Sequence, residues 1–163
     1  MARSQELAQG EPFCVAMRKL IATRFDILWR NIPAAVVGED IEGVHDVRVA
    51  SRRLRAAMDV AVDCFPAEWY RPLHRKAKEI TSALGAVRDL DVQIEALAFQ
   101  RLNSPLEEWS GIDRLLTRLE GERELARRQM VEFLADMEAG GFAKDAAERF
   151  GVAAERERGR SES

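Results

Sequence analysis

The chain has 163 residues, 47% of them apolar, so it is long enough and apolar enough to fold as one domain, or as half of a larger one. Its 25 basic and 28 acidic residues leave a net charge of −3, which taken alone argues against a polyanion-binding protein. The two cysteines are too few for a disulfide scaffold, and their spacing does not suit a metal site. No apolar run is long enough to span a membrane. We therefore expect a soluble protein in a reducing compartment, the cytoplasm.

The first part of the chain predicts two helices. The first runs from residue 11 or 12 to about residue 31, and Pro33 lies just past its end. Residues 32–38 then form a linker, and Asp40 is the predicted N-cap of a second helix that runs to about Phe65. Apolar residues recur at helical spacing in the first helix and predict its buried face: Leu20, Ile21, Phe25, Leu28 and Trp29.

The second part predicts two longer helices. The third helix runs from about residue 68 to 101 with Gly85 in its middle, where a glycine usually has a packing reason. A capping box is predicted for the fourth helix, with Ser104 as the N-cap and Glu107 three residues later. This helix runs to about residue 139. Its predicted apolar stripe consists of Ile112, Leu115, Leu116, Leu119, Leu125, Phe133, Leu134 and Met137.

These elements predict an all-α fold, an antiparallel four-helix bundle followed by a short helical segment over residues 142–150. The bundle is expected to occupy residues 11–151. Residues 1–10 are expected to form a flexible N-terminus, and residues 152–163 a charged, disordered tail.

Positive charge is concentrated in the second and third helices. Residues 44–92 carry 9 basic and 7 acidic side chains, whereas residues 93–163 carry 11 basic and 15 acidic ones. At about 100° per residue, one cationic row on the second helix consists of His45, Arg48, Arg52 and Arg55. A row on the third helix consists of Arg71, Arg75 and Lys78, with His74 about 60° away. Together the two rows predict a cationic surface that suits phosphate groups.

An alternative without a ligand is a solvated lattice of ion pairs, in which nearby carboxylates neutralise the arginines. Surface ion pairs of this kind contribute at most about 1 kcal/mol each. The carboxylates available for such a lattice are Asp46, Asp59, Asp89 and Asp91.

Two segments resemble, in order, the motifs of the CHAD family, the conserved histidine α-helical domain. They are Val44–Ala56, with the sequence VHDVRVASRRLRA, and Leu84–Val92, with the sequence LGAVRDLDV. The resemblance implies an all-helical domain that binds inorganic polyphosphate through a basic surface. The binding residues that it implies are His45, Arg48, Arg52, Arg53, Arg55, Lys78 and Arg88.

The helical wheel adds three possible further binding residues to that set: Arg71, His74 and Arg75. Asp89 and Asp91 match the family motif too and are expected to orient the arginines instead of touching the anion. We expect no catalytic residue, no metal and no cofactor, because no nucleophile, base and orienting group occur together.

One departure from the family concerns length. Family members typically contain two similar helical halves, whereas the motifs here cover only about residues 12–100. The chain is therefore interpreted as a half-length member or a fragment, and a homodimer could replace the missing half.

A nucleic-acid-binding helical module is the main alternative function, because an arginine row also suits a nucleic-acid backbone. A histidine phosphotransfer domain ranks lower, since the residues after His45 lack the Lys-Gly pair of such domains. A polyphosphate-hydrolysing protein ranks equally low, because Glu120, Glu122 and Glu124 diverge around a helix. No membrane partner is expected, and association with polyphosphate granules in the cytoplasm is compatible with the sequence.

Overall fold

The structure is a computed structural model that describes residues 12–37 and 41–151. Over these residues the chain forms five α-helices and one short 3₁₀ turn, which confirms the predicted all-α class. The helices are α1 (Phe13–Val37), α2 (Ile41–Val60), α3 (Ala67–Leu102), α4 (Leu106–Ala139) and α5 (Phe142–Phe150), and the turn is Val62–Cys64. The expectations for residues 1–10, Asp40 and residues 152–163 lie outside the described residues.

Consecutive helices pack against each other, and α5 contacts both α1 and α4. Because the connections are short, neighbouring helices run antiparallel, as in a helical bundle. Burying each large apolar side chain contributes about 1.5–3 kcal/mol. The predicted face of the first helix is confirmed, since Ile21, Phe25 and Leu28 are buried and Leu20 and Trp29 pack beside them. The fully buried centre includes Ile21, Leu28, Leu54, Ile80 and Leu84.

The end of α1 differs from the prediction. The helix continues four residues past Pro33, so the predicted linker is wrong over its described part. A proline inside a helix removes one backbone hydrogen bond and crowds the preceding turn. Here the guanidinium of Arg127 on α4 donates to the carbonyls of Ala35 and Val36, at 3.1 and 2.7 Å. Since the last carbonyls of a helix lack partners within it, these two bonds support the final turn.

The end of α2 also differs, because the helix stops at Val60, well before the predicted end at Phe65. The chain then tightens into the 3₁₀ turn, and this change of direction brings the ring of Phe65 into an aromatic cluster. Its ring centroid lies 5.0 to 5.6 Å from those of Trp69, Tyr70 and Phe150. The ring of Phe65 therefore packs against side chains of α3 and α5 and does not continue α2.

The two cysteines form a disulfide between α1 and the 3₁₀ turn. The Cα atoms of Cys14 and Cys64 lie 5.2 Å apart and are separated by 50 positions in the sequence. A cross-link of this span stabilises a fold by roughly 2–4 kcal/mol, mainly by restricting the unfolded chain. The expectation of a reducing compartment depended on two cysteines being too few for a disulfide scaffold; since they do form a disulfide, the cysteine content no longer supports a cytoplasmic location.

The start of α4 lacks the predicted capping box. Pro105 itself occupies the N-cap position, so Ser104 lies one residue too early to cap the helix with its hydroxyl. Instead, Trp109 Nε1 donates to the carbonyl oxygen of Ser104 at 3.0 Å. The guanidinium of Arg101 lies 4.0 Å from the centroid of the Trp109 ring. The tryptophan therefore anchors the turn between α3 and α4.

The hairpin of α3 and α4 extends beyond the first two helices. At a rise of 1.5 Å per residue, the 36 residues of α3 span about 54 Å and the 20 residues of α2 about 30 Å. Residues 92–129, here called the outer hairpin, include no fully buried residue. The apolar stripe of α4 is therefore fully buried only toward its end: Leu115 and Leu125 are exposed, whereas Leu134 and Met137 are buried.

Candidate functional site

The cationic side chains of the two motifs lie on α2 and α3, which pack side by side. Two contacts show how the helices align: His74 Nε2 lies 2.6 Å from Asp59 Oδ1, and Arg48 Nη2 lies 3.9 Å from Asp89 Oδ1. The apolar side of α2 faces the core, so its arginines lie at the surface or at the boundary with α3. We call this polar side the α2–α3 face, and its main cations are Arg48, Arg52, Arg55, Arg71, Arg75 and Lys78.

Arg48 crosses α3 at Gly85. A Cβ atom placed on Gly85 would lie 3.9 Å from Arg48 Nε, so the arginine side chain runs over the glycine. That Nε is buried and has no hydrogen-bond partner among the described residues. The carboxylate of Asp89 is 68% exposed and lies near the outer limit of an ion pair with Arg48. Arg48 is therefore positioned mainly by packing and only weakly by charge.

Asp59 is shared by two basic side chains. The 2.6 Å contact with His74 Nε2 is a short hydrogen bond, whereas Arg55 Nε lies 3.9 Å from the other carboxylate oxygen. The side chain of His74 is only 12% exposed. His74 therefore connects α3 to α2, and its imidazole presents little surface to a ligand.

Four cations of the α2–α3 face are exposed and have no carboxylate within 4.0 Å among the residues that the structure describes. They are Arg52, Arg71, Arg75 and Lys78. The lattice of ion pairs considered above therefore forms only in part. Asp59 and Asp89 contact arginines of the face, whereas no described cation pairs with Asp46.

The other side of α2 contains a cavity of about 420 Å³ between α1 and α2. His45 and Arg53 line this α1–α2 cavity together with Arg24 and Asn31 of α1. His45, which the helical wheel groups with Arg48, thus shares a cavity with Arg53. The sequence reasoning considered only the apolar face of the first helix and missed Arg24 and Asn31, although their spacing of seven residues places both on one side of that helix.

The two acidic residues of the second motif have different surroundings. The side chain of Asp91 is 4% exposed and forms an ion pair with Arg123 of α4. Asp91 thus contacts an arginine outside the predicted binding set, whereas Asp89 contacts Arg48 within it. Arg88, which directly precedes Asp89, is half-buried and has no carboxylate partner within the described part of the chain.

The described residues include no group of three or more His, Cys, Asp or Glu side chains that could hold a metal ion. Glu120, Glu122 and Glu124 are exposed on α4, and Glu122 pairs with Arg118 one turn earlier, at 3.1 Å. None of the described helices combines the length and the apolarity that a membrane crossing requires.

Comparison with known proteins gives one positive result. No curated protein matches the chain, and no solved structure does. The family model described as the CHAD domain matches residues 19–162. This match extends beyond the two motifs of α2 and α3 and includes α4 and α5. Since it covers nearly the whole chain, the chain belongs to the CHAD domain family.

Proposed function

We propose that the protein binds inorganic polyphosphate, without catalysis, through the cationic side chains of α2 and α3. The observation that supports this proposal is the set of exposed cations without a carboxylate partner, which includes Arg52 and Arg75. Like charges clustered on one face repel each other, so an anion that bridges them would be stabilised. Membership of the CHAD domain family agrees with a role as a binding module.

The proposed mechanism is electrostatic. Each guanidinium can donate two parallel hydrogen bonds to one phosphate group, and a polymer presents successive phosphates to successive arginines. Neutralising these phosphates releases counterions that had condensed on the polyanion. Affinity should therefore grow with polymer length and fall steeply as salt is added.

The proposal is tested by removing two unpartnered cations together, with Arg52→Gln and Arg75→Gln in one variant. Both side chains are exposed, so the fold should be preserved while two phosphate contacts are lost. We expect the dissociation constant for long-chain polyphosphate, measured by titration calorimetry, to rise at least about tenfold.

The matched control carries Arg114→Gln and Arg128→Gln, which remove the same charge from exposed positions on α4. Its affinity should stay within about twofold of that of the wild-type protein, as expected for distant surface charges. Equal losses in the two double variants would show that only the overall charge matters and would contradict a site on α2 and α3.

A nucleic-acid-binding module remains the alternative, because the same arginines suit any phosphate backbone. Competition between polyphosphate, RNA and DNA at physiological salt separates the two functions. We expect polyphosphate to displace both nucleic acids, and preferential retention of RNA or DNA would favour the alternative. Incubation with polyphosphate and a divalent metal should release no phosphate if the protein is not a hydrolase.

We also propose that two copies of the chain associate through the outer hairpin. Large apolar side chains are exposed around the turn between α3 and α4, at Phe99, Leu102 and Leu106, to between 70 and 74%. An exposed apolar cluster of this kind commonly marks a protein interface. A symmetric homodimer would bury the same apolar cluster on both copies, and it would contain two α2–α3 faces.

A further inference from the structure

The disulfide between Cys14 and Cys64 lies at the surface, where a thiol reagent can reach it. Cys14 is the second residue of α1 and its side chain is exposed, whereas Cys64 ends the 3₁₀ turn and is half-buried. The residues on either side of Cys14, Phe13 and Val15, are 58 and 46% exposed, so they contribute little packing. The first three residues of α1 are therefore held to the chain after α2 mainly by the disulfide.

Arg18 lies one helical turn after Cys14, on the same side of α1. Its Nη1 donates to the backbone carbonyl of Arg149 at 2.8 Å, and its guanidinium lies 5.4 Å from the ring centroid of Phe65. The Arg149 carbonyl belongs to the last turn of α5, where carbonyls lack partners within the helix. Phe65 directly follows Cys64. The disulfide and Arg18 thus join the start of α1 to the turn after α2 and to the end of α5.

The two ends of α5 are held by different contacts. The helix has nine residues, too few to be stable in isolation, so it depends on its packing. At its start, the buried ring of Phe142 has its centroid 5.2 Å from that of Phe25. At its end, the ring of Phe150 has its centroid 5.6 Å from that of Phe65, next to the disulfide. The end of α5, and not its start, therefore packs on residues that the disulfide positions.

We propose that the disulfide between Cys14 and Cys64 is a site of thiol–disulfide exchange with a dithiol, and that its redox state controls the docking of the end of α5. In the oxidised form, the start of α1 is held in place and Arg18 contacts both Phe65 and the last turn of α5. Reduction frees the start of α1 and weakens these contacts, so the last turn of α5 opens locally while the core stays packed. This site is independent of the proposed binding of polyphosphate.

The exchange takes place in two steps. A thiolate of the dithiol attacks Sγ of the exposed Cys14, the bond between the two cysteines breaks, and Cys64 leaves as a thiolate. The second thiolate of the reagent then attacks the reagent's own sulfur in the mixed disulfide, and Cys14 leaves as a thiolate at the N-terminus of α1, where the helix dipole stabilises negative charge. The dithiol loses two electrons and two protons, and each cysteine gains one of each.

The accessibility of the site is tested by thiol counting on the full chain. Dithiothreitol, a small dithiol, is added without denaturant, and the free thiols are alkylated and counted by mass spectrometry. We expect both cysteines to be alkylated while the circular dichroism of the helices is retained. A disulfide that resists reduction until the protein is unfolded would overturn the proposal.

The effect on α5 is tested by amide hydrogen exchange of the oxidised and reduced protein. On reduction, the amides of residues 146–151 should exchange at least about tenfold faster, whereas those of residues 130–137 of α4 should stay within about twofold. The variant with Cys14→Ser and Cys64→Ser should exchange like the reduced protein and should not respond to dithiothreitol. No change in α5 on reduction, or equal acceleration in α4 and α5, would contradict control of α5 by the disulfide.

The route through Arg18 has its own test in the oxidised protein. Arg18→Gln removes the donor to the Arg149 carbonyl, so it should accelerate exchange at residues 146–151 about threefold or more with the disulfide intact. The matched control is Arg30→Gln, which removes the same charge from an exposed position of α1 that is paired with Asp26 at 2.7 Å. It should leave exchange in α5 within about twofold of the wild-type rate. Equal effects of the two variants would count against a link between the disulfide and α5.

Discussion

At the scale of single residues, the two carboxylates of the second motif show that a sequence motif does not determine the role of each of its residues. Asp89 and Asp91 are two positions apart, so they point to different sides of α3. Asp89 reaches the surface beside Arg48, in agreement with the expected role of orienting an arginine. Asp91 points inward to Arg123, an arginine of a helix that the motif does not include. The same residue type thus has one role near the proposed site and another in the fold.

Asp91→Asn should destabilise the protein by about 3 kcal/mol, because it leaves the guanidinium of Arg123 partly buried without its counter-charge. Because the Arg123 side chain is still 26% exposed, the expected loss of unfolding free energy lies at the lower end of the range for a broken buried ion pair. Asp89→Asn is the matched control and should cost at most about 1 kcal/mol, since its carboxylate is largely exposed. Urea denaturation of both variants measures the difference. Similar small losses in both would show that the Asp91–Arg123 pair contributes little.

Tyr70 offers a test of pH dependence. Its hydroxyl donates to the carbonyl of Met58 at 2.7 Å, and burial, aided by the charge of Asp59, raises the pKa of the Tyr70 phenol well above its ordinary value. The folded protein therefore holds this proton more tightly than the unfolded chain does. The resulting stability is complete below the ordinary tyrosine pKa of about 10 and is lost progressively as the pH rises above it.

Tyr70→Phe should consequently lower the free energy of unfolding by about 1–2 kcal/mol at neutral pH, because the Met58 carbonyl loses its donor. The difference between the wild-type protein and the variant should narrow as the pH rises from 9 to 11. Urea denaturation across this range measures both effects. A difference that stays constant with pH would mean that the pKa of the Tyr70 phenol is the same in the folded and unfolded protein.

At the scale of helices, local signals predict some boundaries well and others poorly. The predicted third helix over residues 68–101 agrees with α3 to within one residue at each end, because the proline before it and the turn after it act locally. At the end of α1, the distant Arg127 supports the final turn, and after α2 the chain turns so that Phe65 packs against Phe150 of α5. The same holds for the candidate site. The motif residues could be predicted from the sequence, whereas Arg24 could be assigned to the cavity only from the packing of α1 against α2.

Gly85 connects the packing of α3 with the proposed site. The nearest atom to a Cβ at this position, outside its own helix, is Arg48 Nε at 3.9 Å, which is an ordinary contact distance. Gly85→Ala should therefore fit and raise the free energy of unfolding by about 0.5–1 kcal/mol through better helix propensity. Gly85→Leu should instead displace Arg48 and weaken the binding of polyphosphate several-fold.

Gly111 on α4 provides the control, since a Cβ atom added there meets no atom within 4 Å outside its own stretch of helix. Gly111→Leu should gain the same helix propensity and leave polyphosphate affinity unchanged. Calorimetric titrations of the two leucine variants give the comparison. Equal affinities would mean that the position of Arg48 over Gly85 does not matter for binding.

At the scale of the whole molecule, the net charge of −3 conceals an uneven distribution. Exposed cations without a described carboxylate partner are grouped on α2 and α3 and are also present on α4, as at Arg114 and Arg128, whereas residues 93–163 together carry an excess of four acidic side chains. A polyanion would be attracted to one side and repelled by the acidic remainder. The apolar residues are also divided, because the buried core lies in α1, α2, α5 and the adjoining parts of α3 and α4, and the outer hairpin includes no fully buried residue.

The uncovered outer hairpin leads to a prediction about oligomeric state. If two copies associate there, light scattering should give a mass of twice 18.4 kDa for the wild-type protein at micromolar concentration. Phe99→Glu with Leu102→Glu should restore the single-chain mass without unfolding the protein, because both side chains are exposed. Ser82→Glu with Ala86→Glu adds the same charge to exposed positions of the same helix outside the outer hairpin and should leave the dimer intact. A wild-type protein that is monomeric while its polyphosphate affinity is intact would contradict the dimer, since the apolar cluster would then be uncovered in the active protein.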